Sequence, residues 1–296
     1  MTTTITTYIE ACRYLDDLQM HKIKLGLEAM RSTLAALGSP EEKCPAVHVA
    51  GTNGKGSVCS MLRSIMSGAG YKTGLYTSPH LSSVRERFRI DDQFISEADF
   101  TRLMETIRQS LGGHSITYFE CTTALAFLWF AEQGCDLVIL ETGLGGRLDA
   151  TNVISPLLSI ITTISLDHEQ FLGTSVEEVA FEKAGIVKPH IPVISGVEDP
   201  QAWQVISRTC SERQAALSQK DKDFLLDREP DGPWVWKSTD AQVRLNLMDL
   251  DQPNHWQVDN ICCAVAAAVQ LRSSGFTVGA ATIDNGLARS TWPGRM

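Results

Sequence analysis

The chain has 296 residues and a mass of 32.5 kDa, a length that suits one large domain or two modest ones. Hydrophobic residues make up 43 % and charged residues 21 %, which excludes a mainly disordered chain, a collagen and a small secreted scaffold. The net charge is −9 and no basic stripe is visible, so we do not expect a nucleic-acid partner.

Cysteine usage and hydropathy favour an intracellular protein without a membrane partner. The eight cysteines show no CxxC spacing and most stand in apolar surroundings, so we interpret them as reduced thiols. Residues 1–7 are polar and uncharged, unlike a signal peptide. The longest apolar run, around Ala124–Ala131, is too short to span a bilayer. We therefore expect a cytoplasmic protein.

Apolar spacing predicts an alternation of helices and strands along most of the chain. The predicted helices are 6–19, 25–37, 57–68, 97–111, 121–133, 257–273 and 284–290. The predicted strands are 46–50, 73–77, 115–120, 136–140, 158–164 and 192–195. Continuous apolar strands separated by helices predict an α/β fold with a mostly parallel sheet and helices on both faces.

The composition changes over residues 216–250. Charged residues, the turn Asp231-Gly232-Pro233 and the run Trp234-Val235-Trp236 predict a small β-hairpin added to the main domain. We expect residues 1–291 to form this one domain. Residues 292–296 contain Pro293-Gly294 and are predicted to begin a linker.

The segment Gly51–Ser57, with the sequence GTNGKGS, follows a predicted strand and opens a predicted helix. Its glycines allow several backbone N–H groups to point at one spot, where the helix N-terminus and Lys55 add positive charge. These features suit the phosphates of a nucleotide. Because Gly56 separates the lysine from the serine, the segment is not a standard P-loop, and a glycine-rich turn with an incidental lysine is the alternative.

Three polar side chains follow predicted strands and are candidate metal ligands. Ser78 and His168 lie just after strands, and Glu141 closes the strand 136–140. The carboxyl ends of parallel strands meet at one edge of a sheet, so these side chains and phosphate oxygens could form a magnesium site. Taken singly, His168 could be a loop hydrogen-bonding residue and Glu141 an ordinary strand-end residue.

Three further polar segments allow both functional and structural interpretations. Residues 142–152 could form a second backbone cradle near the substrate, or a flexible connection. Lys183 stands in an apolar helical stretch, where it would be paired or modified, or else reach the surface along its stem. The basic patch Arg85–Arg89 could meet an anionic substrate or form a solvated loop.

Together these residues resemble the Mur ligase family, and specifically its folylpolyglutamate synthase and dihydrofolate synthase branch. The resemblance covers essentially the whole chain. The motifs that carry it are GTNGKGS (Gly51–Ser57), TSPHL (Thr77–Leu81), ETGLGGRLDATN (Glu141–Asn152), Asp167-His168, EKAGI (Glu182–Ile186) and WPGR (Trp292–Arg295). The fold it implies is the central ATP-binding domain of Mur ligases, which is P-loop NTPase-like.

The resemblance implies an ATP-dependent ligase that forms an amide between L-glutamate and dihydropteroate or a folate. A carboxylate has no leaving group, so ATP first converts it into an acyl phosphate that the amine of glutamate can attack. ATP and two Mg²⁺ ions are the implied cofactors. The implied partners are small-molecule substrates only, and we expect a monomer.

The resemblance also assigns roles by matching position. The ATP contacts are Asn53, Gly54, Lys55, Gly56, Ser57, Asn260 and Arg295. The magnesium ligands are Ser78, Glu141, His168 and Lys183, the last matching a lysine that is carbamylated in the family and so becomes an anion. The substrate contacts are Ser82, Arg85, Arg87, Phe88 and Asp149. Catalysis is expected to depend on Lys55, Lys183 and His168.

The chain departs from the family pattern in two ways. Trp256 stands where a family H-Q-x-x-N motif, whose asparagine contacts adenine, has histidine. The C-terminal domain that follows the linker in the family is missing, so we expect this chain alone to bind Mg-ATP weakly and to ligate glutamate poorly or not at all. A nucleotide-binding module without ligase chemistry is the second hypothesis, and a cell-wall Mur ligase is the third.

Overall fold

A computed structural model describes residues 4–18, 26–230, 232–239, 242–248, 250 and 253–290. The helices are α1 (Tyr8–Asp17), α2 (Glu28–Ala36), α3 (Lys55–Gly68), α4 (Glu97–Ser110), α5 (Tyr118–Gln133), α6 (Glu169–Leu172), α7 (Val176–Ala184), α8 (Pro200–Glu212), α9 (His255–Leu271) and α10 (Ala280–Arg289). The strands are β1 (Ala46–Ala50), β2 (Thr73–Tyr76), β3 (Phe88–Ile90), β4 (Gln93–Phe94), β5 (Leu137–Glu141), β6 (Leu158–Ile161), β7 (Val193–Ser195), β8 (Leu217–Gln219), β9 (Phe224–Arg228), β10 (Trp234–Ser238) and β11 (Arg244–Leu247).

The main sheet has eight strands in the order β4-β3-β2-β5-β1-β6-β7-β8. The six strands from β2 to β8 in this order pair in parallel, and β3 and β4 add an antiparallel edge. Helices cover both faces, and strands β1, β2, β5, β6 and β7 are accordingly buried along their whole length. The α/β class predicted from the sequence is confirmed.

Strand β1 lies at the centre of the functional edge. All five of its residues are buried, and it pairs with β5 on one side and β6 on the other. The register sets Val49 opposite Glu141, so both strands end at nearly the same level. The polar residues that follow β1, β2, β5 and β6 therefore gather at one edge of the sheet, as expected for open α/β sheets.

The apolar core is divided by the sheet. One buried cluster joins α1, α2, α4 and α5 to one face, and a second joins α3, α9, α10 and the small sheet to the other. A third cluster packs α7 and α8 around β6 and β7. Side chains of β1 alternate between the faces, with Val47 and Val49 in the second cluster and Ala46 in the first.

One predicted strand is wrong. Residues 115–120 are not a strand, because Thr117 caps the N-terminus of α5 and Glu120 lies in its first turn. The Thr117 side chain accepts the backbone N–H of Glu120, and the Glu120 carboxylate accepts the backbone N–H of Thr117. This reciprocal capping satisfies two otherwise unpaired donors, and it outweighs the β-propensity of the short apolar run.

Two short strands, β3 and β4, lie in a region where the sequence indicated a loop and a basic patch. Strand β3 pairs with β2, and Gly74 lies opposite Ile90. The alternation of buried Phe88 and Ile90 with half-buried Arg89 is the strand signal. It spans only three residues, which is too short to distinguish from a loop by sequence alone.

The added β element is larger than the predicted hairpin. Strands β9, β10 and β11 form a three-stranded antiparallel sheet, in which Trp236 lies between Leu226 and Leu245. Strand β8, at the start of the predicted 216–250 segment, belongs instead to the main sheet. The predicted linker 292–296 lies outside the described residues.

No helix among the described residues is long and apolar enough to cross a lipid bilayer. The longest helix, α9, has 17 residues, and a spanning helix needs about 20 apolar residues.

We predict that Gly74→Ala destabilises the protein by about 1–3 kcal/mol, because overpacking a filled core forces neighbouring atoms apart. A Cβ at this position in β2 would lie 2.9 Å from Phe130 Cδ1 and 3.0 Å from Val138 Cγ1. The control is Gly68→Ala near the end of α3, whose Cβ would meet only Thr282 Cγ2, at 3.7 Å. We expect the control to be neutral or mildly stabilising in urea denaturation. Equal stability of both variants would contradict the packing described here.

Candidate active site

The segment Gly51–Ser57 forms the predicted strand-to-helix loop. Gly51 and Gly54 adopt positive φ angles of +153° and +82°, which side chains disfavour. Gly54 caps α3 and, having no side chain, makes no side-chain cap bond to the first turn, which begins with Lys55, Gly56 and Ser57. The N-terminus of a 14-residue helix thus carries its partial positive charge into the loop.

The loop is braced by the residues that follow β6, a feature that sequence reasoning missed. The backbone N–H of Asn53 donates to Thr163 Oγ1 at 3.0 Å, and Thr162 Oγ1 donates to the Asn53 carbonyl at 2.6 Å. Thr162 also packs against Gly51, so closely that a Cβ on Gly51 would lie 1.9 Å from Thr162 Oγ1. The two adjacent threonines that end the apolar strand were the available signal.

Two lysines converge on one carbonyl oxygen of the loop. Lys55 Nζ donates to the carbonyl of Gly51 at 2.8 Å, and Lys183 Nζ donates to the same oxygen at 3.0 Å. Lys183 is only 3 % exposed, so it is not a surface lysine. Burial, and then the charge of Lys55, lower the pKa of Lys183 to about 8. The site therefore holds a buried amine that deprotonates more readily than an ordinary lysine.

Lys183 is held in place because two motifs that are far apart in sequence interlock. The backbone N–H of Arg147 donates to the Glu182 carbonyl at 2.7 Å, and the Arg147 guanidinium pairs with the Glu182 carboxylate at 2.7 Å. Asn152 Nδ2 donates to the carbonyls of Arg147 and Gly185, both at 3.0 Å. Gly185 is required here, because its Cβ would lie 2.3 Å from Arg147 Cα.

Ser78 and Glu141 are brought together at the ends of β2 and β5. The backbone N–H of Ser78 donates to Glu141 Oε2 at 2.9 Å, and Glu141 is 1 % exposed. The next residue, Thr142, is fixed by its N–H bond to the Val49 carbonyl at 2.9 Å. A buried carboxylate beside a serine, close to a phosphate-type loop, is a donor set that suits Mg²⁺.

His168 is not brought into this group. It has a positive φ of +49°, its side chain is 57 % exposed, and its Nε2 lies 3.7 Å from Asp167 Oδ1. Across the described ranges, no three His, Cys, Asp or Glu side chains lie together as a metal site. The residues present fit a divalent ion on Glu141 and Ser78. Lys183 would fit a second ion only after conversion to an anion.

Within residues 142–152, the Asp149 carboxylate occupies several of the backbone N–H groups that a cradle would need. Asp149 Oδ2 accepts the N–H groups of Gly143 and Leu144, both at 2.8 Å. Its Oδ1 accepts the N–H of Thr151 at 3.0 Å and the hydroxyl at 2.5 Å. The carboxylate is buried, so Asp149 organises this loop, and its contact with substrate stays a prediction.

Phe88, another predicted substrate contact, lies in the apolar core. It begins β3 and is fully buried between Tyr76 and Phe100, at ring-centroid distances of 5.7 and 6.0 Å. Arg85 is held by neighbouring residues, since its Nε donates to the Ile95 carbonyl at 2.6 Å and its guanidinium lies 3.4 Å from Glu97 Oε1. The apolar residue is needed to fill the first core cluster, and the basic patch in the sequence concealed this role.

Ser82 and Arg87, two predicted substrate contacts, lie in the loop before β3. The Glu86 carboxylate accepts the backbone N–H groups of Leu81, Ser82 and Ser83, at 2.8 to 3.0 Å, and leaves Ser82 exposed. Arg87 Nε donates to His80 Nδ1 at 2.9 Å, and its guanidinium lies 5.3 Å from the ring centroid of Tyr118. Sequence reasoning missed His80 and Tyr118.

A cavity of about 230 Å³ adjoins the loop and the start of α9. Its lining residues are Asn53, Gly54, Thr163, Trp256, Asp259 and Asn260. The Asn260 side chain lies directly against Gly54, where a Cβ would be 2.2 Å from Asn260 Oδ1. Trp256, which is 68 % exposed, presents its ring at this cavity. Arg295, the other predicted nucleotide contact, lies outside the described residues.

Lys220 pairs with Asp259, one of the residues that line this cavity. Its buried ammonium lies 2.5 Å from Asp259 Oδ1 and 2.5 Å from Glu198 Oε1. It also lies 3.2 Å from Asp221 Oδ2. The ammonium donates hydrogen bonds to the first two of these carboxylates, and the bond to Asp259 ties α9 to Lys220.

Comparisons with known proteins agree with this arrangement. Residues 49–268 match the family model of the Mur ligase middle domain. The chain is 38 % identical to dihydrofolate synthase/folylpolyglutamate synthase of Bacillus subtilis, covering 98 % of this chain and 70 % of that protein. The corresponding Escherichia coli protein is 37 % identical, with 95 % and 64 % covered.

A solved structure of E. coli FolC in complex with DHPP and ADP superposes with a TM-score of 0.87. Its sequence identity is 36 %, and the match covers 99 % of this chain and 69 % of that one. The chain thus spans about two thirds of the length of these relatives. It belongs to the Mur ligase family, in the branch of the folylpolyglutamate and dihydrofolate synthases.

Proposed function

We propose that this chain is the ATP-binding part of a ligase that joins L-glutamate to dihydropteroate or to a folate. The observation that carries the proposal is the grouping of the Gly51–Ser57 loop, Lys55 and buried Lys183 beside the Ser78–Glu141 pair. A simple nucleotide-binding module needs the loop but has no use for the buried lysine and carboxylate. The relatives named as dihydrofolate and folylpolyglutamate synthases support the substrate class.

The phosphates of ATP would bind at the N-terminus of α3. The backbone N–H groups of Gly54 to Ser57 and the helix dipole favour an anion there. Lys55 is folded back onto the carbonyls of Gly51 and Thr52. Rotation about its side-chain bonds would exchange these neutral acceptors for phosphate oxygens, which bind an ammonium more strongly.

The reaction requires activation of a carboxylate. The carboxylate oxygen of the pterin substrate attacks the γ-phosphorus of ATP, the bond to the β-phosphate oxygen breaks, and ADP leaves. The amine of glutamate then attacks the carbonyl carbon of the acyl phosphate, loses a proton and expels phosphate. Lys55 and the α3 N-terminus would hold the phosphoryl group in line and balance its charge.

Glu141 and Ser78 would hold a magnesium ion, with phosphate oxygens completing its ligands. A bound Mg²⁺ supplies charge neutralisation at the phosphates. The exposed position of His168 leaves it as a weaker candidate that would have to turn inward. We propose ATP, dihydropteroate or folate, and glutamate as the substrates.

We also propose that Lys183 is carbamylated. Only a neutral amine reacts with CO₂, and burial beside Lys55 favours the neutral form of Lys183. The product is an anion, which would relieve the repulsion between the two lysines and could hold a second divalent ion. The Arg147–Glu182 interlock would keep that anion directed at the loop.

We place the protein in the cytoplasm. All eight cysteines are free thiols, and six of them are buried. Free thiols persist in reducing compartments.

We predict that Glu141→Gln lowers the rate of ADP release by roughly 100-fold or more, because a neutral amide binds Mg²⁺ poorly. The assay contains ATP, Mg²⁺, glutamate and either dihydropteroate or tetrahydrofolate, and it uses the protein that carries this chain. The matched control is Glu132→Gln, a carboxylate on α5 that pairs with Arg102 far from the loop. A rate of ADP release that does not depend on dihydropteroate or tetrahydrofolate would favour a nucleotide-binding module. So would a rate that Glu141→Gln leaves unchanged.

We predict that Trp256→Ala weakens ATP binding by about 1–3 kcal/mol, because stacking of a base on an aromatic ring contributes that much. The triphosphate alone should bind equally well to the variant and the wild type. Isothermal titration of both ligands provides the test, with Trp203→Ala on α8 as the control. If ATP bound Trp256→Ala as tightly as the wild type, the base would lie elsewhere.

We predict that the protein incubated with ¹³C-labelled bicarbonate shows a carbamate carbon signal in its NMR spectrum. Lys183→Arg should lack that signal, because a guanidinium remains protonated and does not form a carbamate. Lys188→Arg is the control, since Lys188 is a half-buried lysine whose pKa is also lowered by burial. A signal that survives Lys183→Arg, or no signal in the wild type, would exclude carbamylation at this position.

A further inference from the structure

A buried chain of hydrogen bonds runs from the centre of β1 to the segment that follows Glu141. His48 Nε2 lies 2.8 Å from Thr151 Oγ1, and the Thr151 hydroxyl donates to Asp149 Oδ1 at 2.5 Å. The other oxygen of Asp149 accepts the N–H groups of Gly143 and Leu144. His48, Thr151 and Asp149 are all buried.

The direction of these bonds is fixed by counting protons. The Thr151 hydroxyl has one hydrogen, and it is given to the Asp149 carboxylate. His48 must therefore be the donor at Nε2, which makes Nδ1 the unprotonated nitrogen of a neutral ring. Burial, together with the nearby Lys188 charge, lowers the pKa of His48 to about 3, consistent with that neutral form.

The other ring nitrogen of His48, Nδ1, is left without a hydrogen bond among the described residues, which is unfavourable in a buried position. An apolar residue at this position would avoid an unpaired acceptor, and the other four residues of β1 are apolar. The imidazole therefore serves the bond at Nε2 and not the packing of the strand.

The chain of hydrogen bonds ends at the segment that follows Glu141, the predicted metal ligand. Gly143 and Leu144 follow Glu141 by two and three residues, and Thr142 is tied to the Val49 carbonyl. The exit of β5 is thus held from two sides, by β1 and by Asp149. Gly143 also packs beneath the Phe119 ring, where a Cβ would lie 2.5 Å from Cζ.

We propose that His48 is a positioning residue, whose Nε2–H orients Thr151 and Asp149 and thereby fixes the Gly143–Leu144 segment that directs the Glu141 carboxylate. This inference rests on the proposed binding of ATP with a divalent ion. His48 touches neither ligand and acts only through the buried bonds. Partners that orient a metal ligand typically contribute 10- to 100-fold to metal affinity.

The test measures ATP-analogue affinity of the full chain by titration, with Mg²⁺ and with EDTA. We expect His48→Leu to lose about 10- to 100-fold of the affinity in Mg²⁺ and little in EDTA. His48→Gln, which can place an N–H near the Nε2 position, should recover most of the loss. Val47→Ala, on the same buried strand but facing the other core cluster, should leave the ratio of the two affinities unchanged.

A second pair of variants guards against misfolding of His48→Leu. Thr151→Val removes the hydroxyl at nearly constant shape and should reproduce the loss, whereas Thr151→Ser should not. An unchanged Mg²⁺ dependence in Thr151→Val, or the same loss in Val47→Ala, would overturn the proposal.

An independent readout is the ¹⁵N spectrum of His48 in the chain without ligand. We expect a protonated Nε2 and an unprotonated Nδ1 over the whole pH range in which the protein is folded and the ring is neutral. A protonated Nδ1 would overturn the proposal. If the wild type failed to bind the nucleotide at all, the proposed function would fail instead, and the ¹⁵N spectrum would still test the bond at Nε2.

Discussion

The arrangement depends on close approach of backbone at the carboxyl ends of β1 and β6. A glycine-rich loop that directs its N–H groups at a phosphate turns its carbonyl groups the opposite way, and those carbonyls need hydrogen-bond partners of their own. Thr162 and the two lysines supply those partners, and Gly51 leaves no room for a Cβ between them. The threonines after β6 are therefore as much a part of the loop as GTNGKGS itself.

Close backbone packing also positions Lys183 and Glu141. Gly185 packs on Arg147, and the resulting unit of residues 142–152 and 182–186 holds Lys183 against the loop. Asp149 takes up the N–H groups after Glu141. Buried carboxylate, buried lysine and helix N-terminus are thus fixed before any ligand binds, which is the condition under which electrostatic catalysis is effective.

Sequence reasoning predicted the parallel sheet and the loop, because long apolar strands and a glycine-rich βα turn are local signals. It also predicted that Ser78 and Glu141 would meet, since parallel strands end at one edge. It failed where the deciding contact was distant in sequence. The motifs of Phe88 and Asp149 did not show that one fills the core and that the other satisfies backbone donors. The role of Thr162 was missed because its partner Asn53 lies 109 residues away. His48 gave no functional signal, because its partner Thr151 lies 103 residues away.

The central claim is that a triphosphate and a divalent ion meet between the Gly51–Ser57 loop and Glu141. The most direct measurement is a crystal structure of the chain with a nonhydrolysable ATP analogue and Mn²⁺, located by its anomalous scattering. The account predicts Mn²⁺ at Glu141 and Ser78, with Lys55 moved from the Gly51 carbonyl onto the phosphates. An analogue bound away from the loop, or Mn²⁺ bound without Glu141, would contradict it.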